Sequence, residues 1–152
     1  KTRAYHYAPW DYALYLDADT RIVGSLQAGF TALGMGWELC LALDITRTIA
    51  TCTHIAAEEV RYTEQLCGTG ELHQYNSGVV FFRKCDGARG LYDAWHEEWQ
   101  KFQGADQMAL VRAMYRVPAR VWALHERWNT HRPERAEHVL HVHHRARREG
   151  AP

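Results

Sequence analysis

The sequence predicts a single α/β domain in which helices flank a mixed, mostly parallel sheet. Two observations carry this prediction. Short apolar runs typical of buried strands alternate with segments of helical periodicity, and no repeat or low-complexity linker interrupts them. The length of 152 residues also suits one domain with its own core and is too short for two ordinary ones. We therefore assign residues 1–152 to one domain, with a basic tail at residues 145–152 that we expect to be flexible.

The first half of the chain contains two predicted strands and two predicted helices. Residues 12–16 (YALYL) form an apolar run that ends at an acidic turn, and residues 39–43 (LCLAL) form a second run. Between them, residues 25–34 begin with a Ser that can cap a helix and end with a Gly that can close it. The pattern of residues 54–67 is helical, and Gly68 is the expected C-terminal stop.

The second half continues the alternation. Residues 78–82 (GVVFF) predict a strand, and the large apolar residues between positions 91 and 102 recur at helical spacing. Asp106 is the expected cap of the next helix, and residues 121–124 and 139–142 predict two further short strands. Because the chemistry of open α/β sheets lies beyond the carboxyl ends of the strands, the polar residues that follow these runs are the site candidates.

Composition excludes several partners. The 18 Lys and Arg residues equal the 18 Asp and Glu residues, so no net charge favours nucleic acid or an anionic membrane. No apolar stretch reaches the roughly 18 residues that a membrane span needs. No signal-peptide pattern opens the chain, and the four Cys residues form no CxxC pair. We therefore expect reduced thiols and a cytoplasmic location.

Two aspartates directly follow the first predicted strand. Asp17 and Asp19 are separated by one residue, and in an extended backbone such positions point to the same side. Their carboxylates repel each other unless water solvates both or a cation lies between them. Mg²⁺ and Mn²⁺ bind a few carboxylate oxygens and complete their coordination with water or substrate phosphates. A solvated turn is the alternative interpretation, because Asp is common in turns.

Five short segments of the chain resemble those of GT-A glycosyltransferases, particularly family 8, and occur in that family's order. The segments are residues 15–20 (YLDADT), 75–80 (YNSGVV), 106–107 (DQ), 128–130 (WNT) and 140–143 (LHVH). The resemblance implies a GT-A-like, Rossmann-like fold and the transfer of a hexosyl group from a nucleotide diphosphate sugar. It also implies UDP as the nucleotide and a carbohydrate or other hydroxyl compound as the acceptor.

The same resemblance implies a metal site and a donor site. Asp17, Asp19 and His141 would bind Mn²⁺, with Mg²⁺ as the second choice, because a mixed oxygen and imidazole set suits Mn²⁺ better. Asp106 and Gln107 would be the catalytic residues. The residues that would contact the donor are Asp17, Ala18, Asn76, Ser77, Gly78 and Arg147, of which Arg147 takes the place of a diphosphate-binding Lys of the family. Asp44 or Asp106 could accept the acceptor's proton if the reaction inverts the anomeric configuration.

The sequence also departs from the family pattern. Only sixteen residues precede Asp17, where the family has a longer nucleotide-binding unit, so we expect a domain without the N-terminal nucleotide-binding strands and with an unpaired sheet edge. An oligomer or a separate N-terminal segment would then supply the missing part. Two alternatives stay open: an inactive or partner-dependent transferase fragment, and a non-enzymatic metal-binding module built from the two aspartates and the His cluster at residues 141–144.

Overall fold

A computed structural model describes residues 1–142, apart from the side chains of residues 45 and 46. The predicted tail, Arg147 and the last two His residues of the cluster lie outside the described residues. The elements in chain order are α1 (Ala4–Tyr7), β1 (Tyr12–Leu16), β2 (Thr20–Ile22), α2 (Gln27–Gly34), β3 (Leu39–Thr48), α3 (Ala57–Cys67), β4 (His73–Arg83), α4 (Asp86–Phe102), α5 (Asp106–Arg116), β5 (Val121–Leu124) and β6 (Val139–His141). Two 3₁₀ turns, Glu126–Trp128 and Pro133–Arg135, lie between β5 and β6.

The central sheet has four strands in the order β1-β4-β3-β5. Strand β4 is antiparallel to both of its neighbours, while β5 runs parallel to β3. Three of the four strands therefore share one direction, and the predicted mixed α/β fold is confirmed. Strands β2 and β6 form a separate antiparallel pair, in which Thr20 lies opposite His141.

The sheet is buried on both faces because the apolar residues of its strands alternate between two cores. In β3, Leu39 and Leu41 point to one side, while Cys40 and Ala42 point to the other. The first core is filled by side chains of α4 and α5, and the second by side chains of α2 and the first 3₁₀ turn. Because both faces of the sheet are buried, its strands appear in the sequence as continuous apolar runs and not as an alternation of apolar and polar residues.

Two strands are longer than their apolar runs. Strand β4 begins at His73, whereas the sequence predicted a strand at residues 78–82. Asn76 therefore lies inside the strand. Strand β3 continues to Thr48, and its pairing with β4 is interrupted by two register shifts. The added segments contain polar side chains that line the cavities described below, among them Arg47 and Ser77, so hydrophobicity alone does not mark them as strands.

A buried cluster of charges joins the helices α3, α4 and α5. The Arg112 guanidinium, fully buried in α5, donates to Glu98 of α4 and to Glu59 of α3, both at 3.0 Å. Burial raises the pKa of Glu98, but hydrogen bonds from Lys101, Arg116 and Arg112 outweigh it and hold that pKa below its ordinary value. The cluster anchors α5, whose first residues form part of the site described below. None of the described helices is long and apolar enough to cross a membrane.

Candidate active site

A cavity of about 540 Å³ opens at the carboxyl end of β1, next to the beginning of α5. Its position agrees with the rule that open α/β sheets carry their sites beyond the strand ends. Six residues that the sequence predicted as site residues line it: Asp17, Asn76, Ser77, Asp106, Gln107 and His141. The same wall contains five polar residues that the sequence had not pointed to, which are Lys1, Arg47, Thr53, His54 and His131.

Asp17, Asp19 and His141 form a compact cluster at this cavity. One ligand atom from each side chain lies within 4.8 Å of the others. The His141 Nε2 atom is 3.0 Å from an Asp19 oxygen and 4.0 Å from an Asp17 oxygen. The pairing of β2 with β6 holds the cluster together, since Thr20 lies opposite His141 and the backbone N–H of Val142 donates to the carbonyl of Asp19 at 2.7 Å.

Asn129 fixes the orientation of the His141 ring. The imidazole Nδ1 lies 3.2 Å from the Asn129 Oδ1 atom, which can only accept a hydrogen bond. The His141 Nδ1–H can donate to this oxygen, which leaves Nε2 directed at the two carboxylates. Two carboxylates and one imidazole nitrogen that face one another are a donor set that fits a divalent metal ion. Asn129 lies in the WNT segment but was not predicted as a site residue.

Gly78 lies directly beneath the cluster. A Cβ atom at this position would lie 2.8 Å from the His141 ring, 2.9 Å from an Asp17 oxygen and 3.1 Å from the Asn129 Nδ2 atom. These separations are shorter than ordinary contacts, so a side chain at position 78 would displace the groups above it. Gly78 permits the close approach of β4 to the cluster.

Lys1 links two of the carboxylates. Its ammonium group lies 2.9 Å from Asp17, 3.2 Å from Asp106 and 3.3 Å from the Ser77 hydroxyl. It reduces the repulsion between the carboxylates on opposite sides of the cavity. A lone Lys carries no sequence pattern, and only the fold brings it to this position.

Asp106 points into the cavity and does not cap its own helix. Ala105 is the N-cap and Asp106 is the first residue of α5, so the predicted Asp106 cap was wrong. The physical reason is that the Asp106 carboxylate accepts a hydrogen bond from Ser77 and forms an ion pair with Lys1 instead. Within the described part of the chain, the neighbouring Gln107 Nε2 atom is buried without a hydrogen-bond partner.

Tyr15 supports Asp17 from below the cavity. Its hydroxyl donates to the Asp17 Oδ1 atom at 2.8 Å. Burial, followed by the hydrogen bond to Asp17, raises the pKa of Tyr15 well above its ordinary value. The phenol therefore stays protonated and remains a donor at physiological pH.

Two of the remaining predicted site residues, Ala18 and Asp44, do not line the large cavity. Ala18 is exposed between the two aspartates. Asp44 lies inside β3 and not at a strand end, and its carboxylate is 3.6 Å from the Arg47 guanidinium. Arg147 was predicted to contact the diphosphate and lies outside the described residues.

No protein-family model matches this chain, and no curated protein matches it. Two solved structures share its fold. The galactosyltransferase LgtC in complex with donor and acceptor sugar analogs is 16% identical, with a TM-score of 0.56, over 92% of this chain and 55% of that one. An active-site mutant of LgtC is 19% identical, with a TM-score of 0.54, over 84% of this chain and 44% of that one.

The chain therefore spans about half the length of the structures that it matches. At this level of identity the likeness establishes the fold. The resemblance predicted from the five sequence segments is confirmed at the level of the fold. The chain adopts a GT-A-like fold of the kind seen in the family 8 galactosyltransferase LgtC.

Proposed function

We propose that this chain carries the metal-binding and catalytic part of a glycosyltransferase that moves a hexosyl group from a UDP-sugar to a hydroxyl acceptor. The observation that carries the proposal is the cluster of Asp17, Asp19 and His141 at the mouth of a polar cavity, within a GT-A-like fold. The names of the matching structures, a galactosyltransferase with donor and acceptor sugar analogs, support the same type of reaction.

The metal proposed for this site is Mn²⁺. Asp17, Asp19 and His141 would hold it, and their two oxygens and one nitrogen suit Mn²⁺ better than Mg²⁺, which is the second choice. When bound, such an ion stabilises the negative charge that develops on the departing diphosphate. The orientation of His141 by Asn129 is the kind of support that metal-binding histidines require.

The other polar residues of the cavity would position the donor sugar. Asp106, held by Ser77 and Lys1, presents a fixed carboxylate to sugar hydroxyls, and Asn76 lines the same wall. The unpartnered amide of Gln107 offers a buried donor next to them, which supports its predicted place near the anomeric carbon. The backbone of Ala18 and Gly78 and the side chain of Arg147 complete the proposed donor contacts.

The test is calorimetric binding of UDP with and without Mn²⁺. We expect binding that requires Mn²⁺ and is lost in Asp19→Ala, because that variant removes one metal ligand. Asp86→Ala is the matched control, since Asp86 is 94% exposed and pairs with Arg89 outside the cavity. Equal affinity for UDP with and without Mn²⁺, or full binding by Asp19→Ala, would contradict the proposal.

Two alternatives are distinguished by the same titrations together with an assay of sugar transfer. The metal cluster is built by β1, β2 and β6, and a non-enzymatic metal-binding module would need nothing more than this cluster. Such a module would bind Mn²⁺ without any effect of UDP. An inactive or partner-dependent transferase fragment would bind both ligands and transfer no sugar.

The location of the protein is part of the proposal. All four cysteines are free thiols, and three of them are buried. Free buried thiols are typical of proteins in reducing compartments, which supports the predicted cytoplasmic location. Thiol titration under native and unfolding conditions of protein isolated without reductant tests this prediction, and disulfide-linked cysteines would contradict it.

A further inference from the structure

A second, smaller cavity of about 250 Å³ adjoins the candidate active site. The two cavities share Arg47, Asn76 and His131 in their walls. The His131 ring lies 4.7 Å, between ring centroids, from the ring of the proposed metal ligand His141. A molecule in the smaller cavity would therefore lie beside a sugar held in the larger one.

The smaller cavity has an unusual concentration of guanidinium groups. Three arginines line it, Arg47, Arg132 and Arg135, and we call it the arginine cavity. Among residues 1–142, two carboxylates line it. Asp44 pairs with Arg47 at 3.6 Å, and Glu126 pairs with Arg135 at 3.3 Å. The rest of the wall is mostly neutral and polar, so the arginine cavity carries one positive charge in excess.

Arg132 is the source of this excess. It is exposed, and among residues 1–142 no carboxylate lies within ion-pair distance of its guanidinium. Its backbone N–H donates to the Thr130 hydroxyl at 3.2 Å, which fixes the start of the side chain beside the cavity. The guanidinium of an arginine at this position can donate two parallel hydrogen bonds to a carboxylate or a phosphate.

We propose that the arginine cavity binds the acceptor and selects one that bears an acid group, either a carboxylate or a phosphate ester on a sugar. Arg132 is the specificity-determining residue, and Arg47 and Arg135 contribute the surrounding positive potential. This inference rests on the proposed function, because it needs a donor sugar in the larger cavity.

In the transfer that this arrangement serves, one bond breaks and one bond forms. The bond between the anomeric carbon and the diphosphate oxygen breaks, and its electron pair leaves with the nucleoside diphosphate. The acceptor hydroxyl oxygen forms the new bond to the anomeric carbon and releases its proton to solvent. The acid group of the acceptor takes no part in these bond changes and contributes only to binding and orientation.

The experiment compares three probes that differ in charge: glucuronate, glucose 6-phosphate and glucose. Their binding to the chain is measured by NMR titration in EDTA, so that no metal ion can attract the acid groups. We expect at least one acid probe to bind about ten- to a hundredfold more tightly than glucose, which is the range of a charge-assisted hydrogen bond. The tighter of the two acid probes identifies the class of acid group.

Arg132→Gln should reduce the preference for the acid probe to about twofold or less. Arg89→Gln is the matched control, because Arg89 is an exposed arginine that pairs with Asp86 outside both cavities. The preference should also weaken as salt is raised from 0.05 to about 0.5 M, since the cavity is open to solvent. Unchanged thermal unfolding of Arg132→Gln establishes that the variant is folded.

Equal binding of glucose and both acid probes, or an unchanged preference in Arg132→Gln, would overturn the inference. Asp19→Ala separates this failure from failure of the proposed function. If the preference persists in Asp19→Ala and UDP never binds with Mn²⁺, the arginine cavity stands and the transferase proposal falls. If the preference appears only when Mn²⁺ replaces EDTA and is then lost in Asp19→Ala, the acid group binds at the metal cluster and not in the arginine cavity.

Discussion

At the scale of single residues, the absence of a side chain at Gly78 decides whether the metal cluster can form. A methyl group there would lie within 3.1 Å of the His141 ring, the Asp17 carboxylate and the Asn129 amide. We expect Gly78→Ala to lower Mn²⁺ affinity at least tenfold, because all three groups must move apart. Calorimetric titration with Mn²⁺ measures this loss.

The matched control is Gly90→Ala in α4. A Cβ atom at Gly90 would meet only a Val117 methyl group at 3.6 Å, which is ordinary van der Waals contact. Because Ala favours a helix interior by about 0.5–1 kcal/mol over Gly, this control should be slightly more stable and bind Mn²⁺ normally. Wild-type Mn²⁺ affinity in Gly78→Ala would show that the cluster is more adaptable than its packing indicates.

Asn129 offers a second test at this scale, because its proposed role is to accept a hydrogen bond from the His141 Nδ1–H. Asn129→Asp keeps an acceptor at this position, whereas Asn129→Leu removes it at similar volume. We expect roughly 10–100-fold weaker Mn²⁺ binding in Asn129→Leu and near wild-type binding in Asn129→Asp. Equal losses in both variants would assign Asn129 a packing role instead.

Sequence reasoning reached the residues of the site that carry a local pattern. Asp17 and Asp19 follow a strand at a spacing that places both carboxylates together, and the segment resemblance added His141. Lys1 and His131 have no such pattern. They reach the cavity only because β1, β4 and the chain between β5 and β6 come together in the fold. This proximity cannot be inferred from a single sequence.

At the scale of elements, the buried ion cluster determines how firmly α5 is held against α3 and α4. Arg112→Met would remove the ion pair of the buried Glu59 and leave Glu98 with its two partners at the protein surface. Removal of one partner of a buried pair costs about 3–5 kcal/mol, and we expect a loss of unfolding free energy of that order in urea denaturation. Arg89→Met, an exposed control, should change it by about 0.5 kcal/mol or less.

The same cluster makes stability depend on pH. The pKa of Glu98 is lower in the folded state than in the unfolded chain, so its contribution is fully present above the unfolded value of about 4.3. It is lost as the pH falls through the lower, folded value. We expect Glu98→Gln to be less stable than wild type at pH 7 and to lose less stability between pH 5 and pH 3. Parallel pH profiles of the two proteins, measured by urea denaturation, would contradict this assignment.

The elements that could be predicted from the sequence are those whose buried residues form an apolar run or a helical apolar pattern. The apolar halves of β3 and β4 and the inward face of α4 were found because they pack in the two cores. The segments that extend β3 and β4 were not found, because they contain polar side chains that line the cavities. Strand β2 is three residues long and two of its residues are exposed, so neither length nor alternation identified it.

At the scale of the whole molecule, ligand binding and stability are coupled. Ligands that bind only the folded chain stabilise it by about 2.7 kcal/mol at 100 times their Kd, which corresponds to roughly 5–10 °C in Tm for a chain of this size. We expect Mn²⁺ with UDP to raise Tm by this amount and to leave the Tm of Asp19→Ala unchanged. Differential scanning calorimetry with EDTA as the reference measures the shift, and an equal shift in Asp19→Ala would place the ligands elsewhere.

The pairing of β2 with β6 brings Asp19 next to His141, although about 120 residues separate them in the chain. Closing so long a loop costs conformational entropy, and this cost is met only after the sheet between the two ends has formed. The ion would therefore bind to the completed chain and hardly at all to folding intermediates. During refolding, Mn²⁺ uptake would mark the last step of assembly, and a chain cut just before β6 would keep most of both cores yet lose the ion.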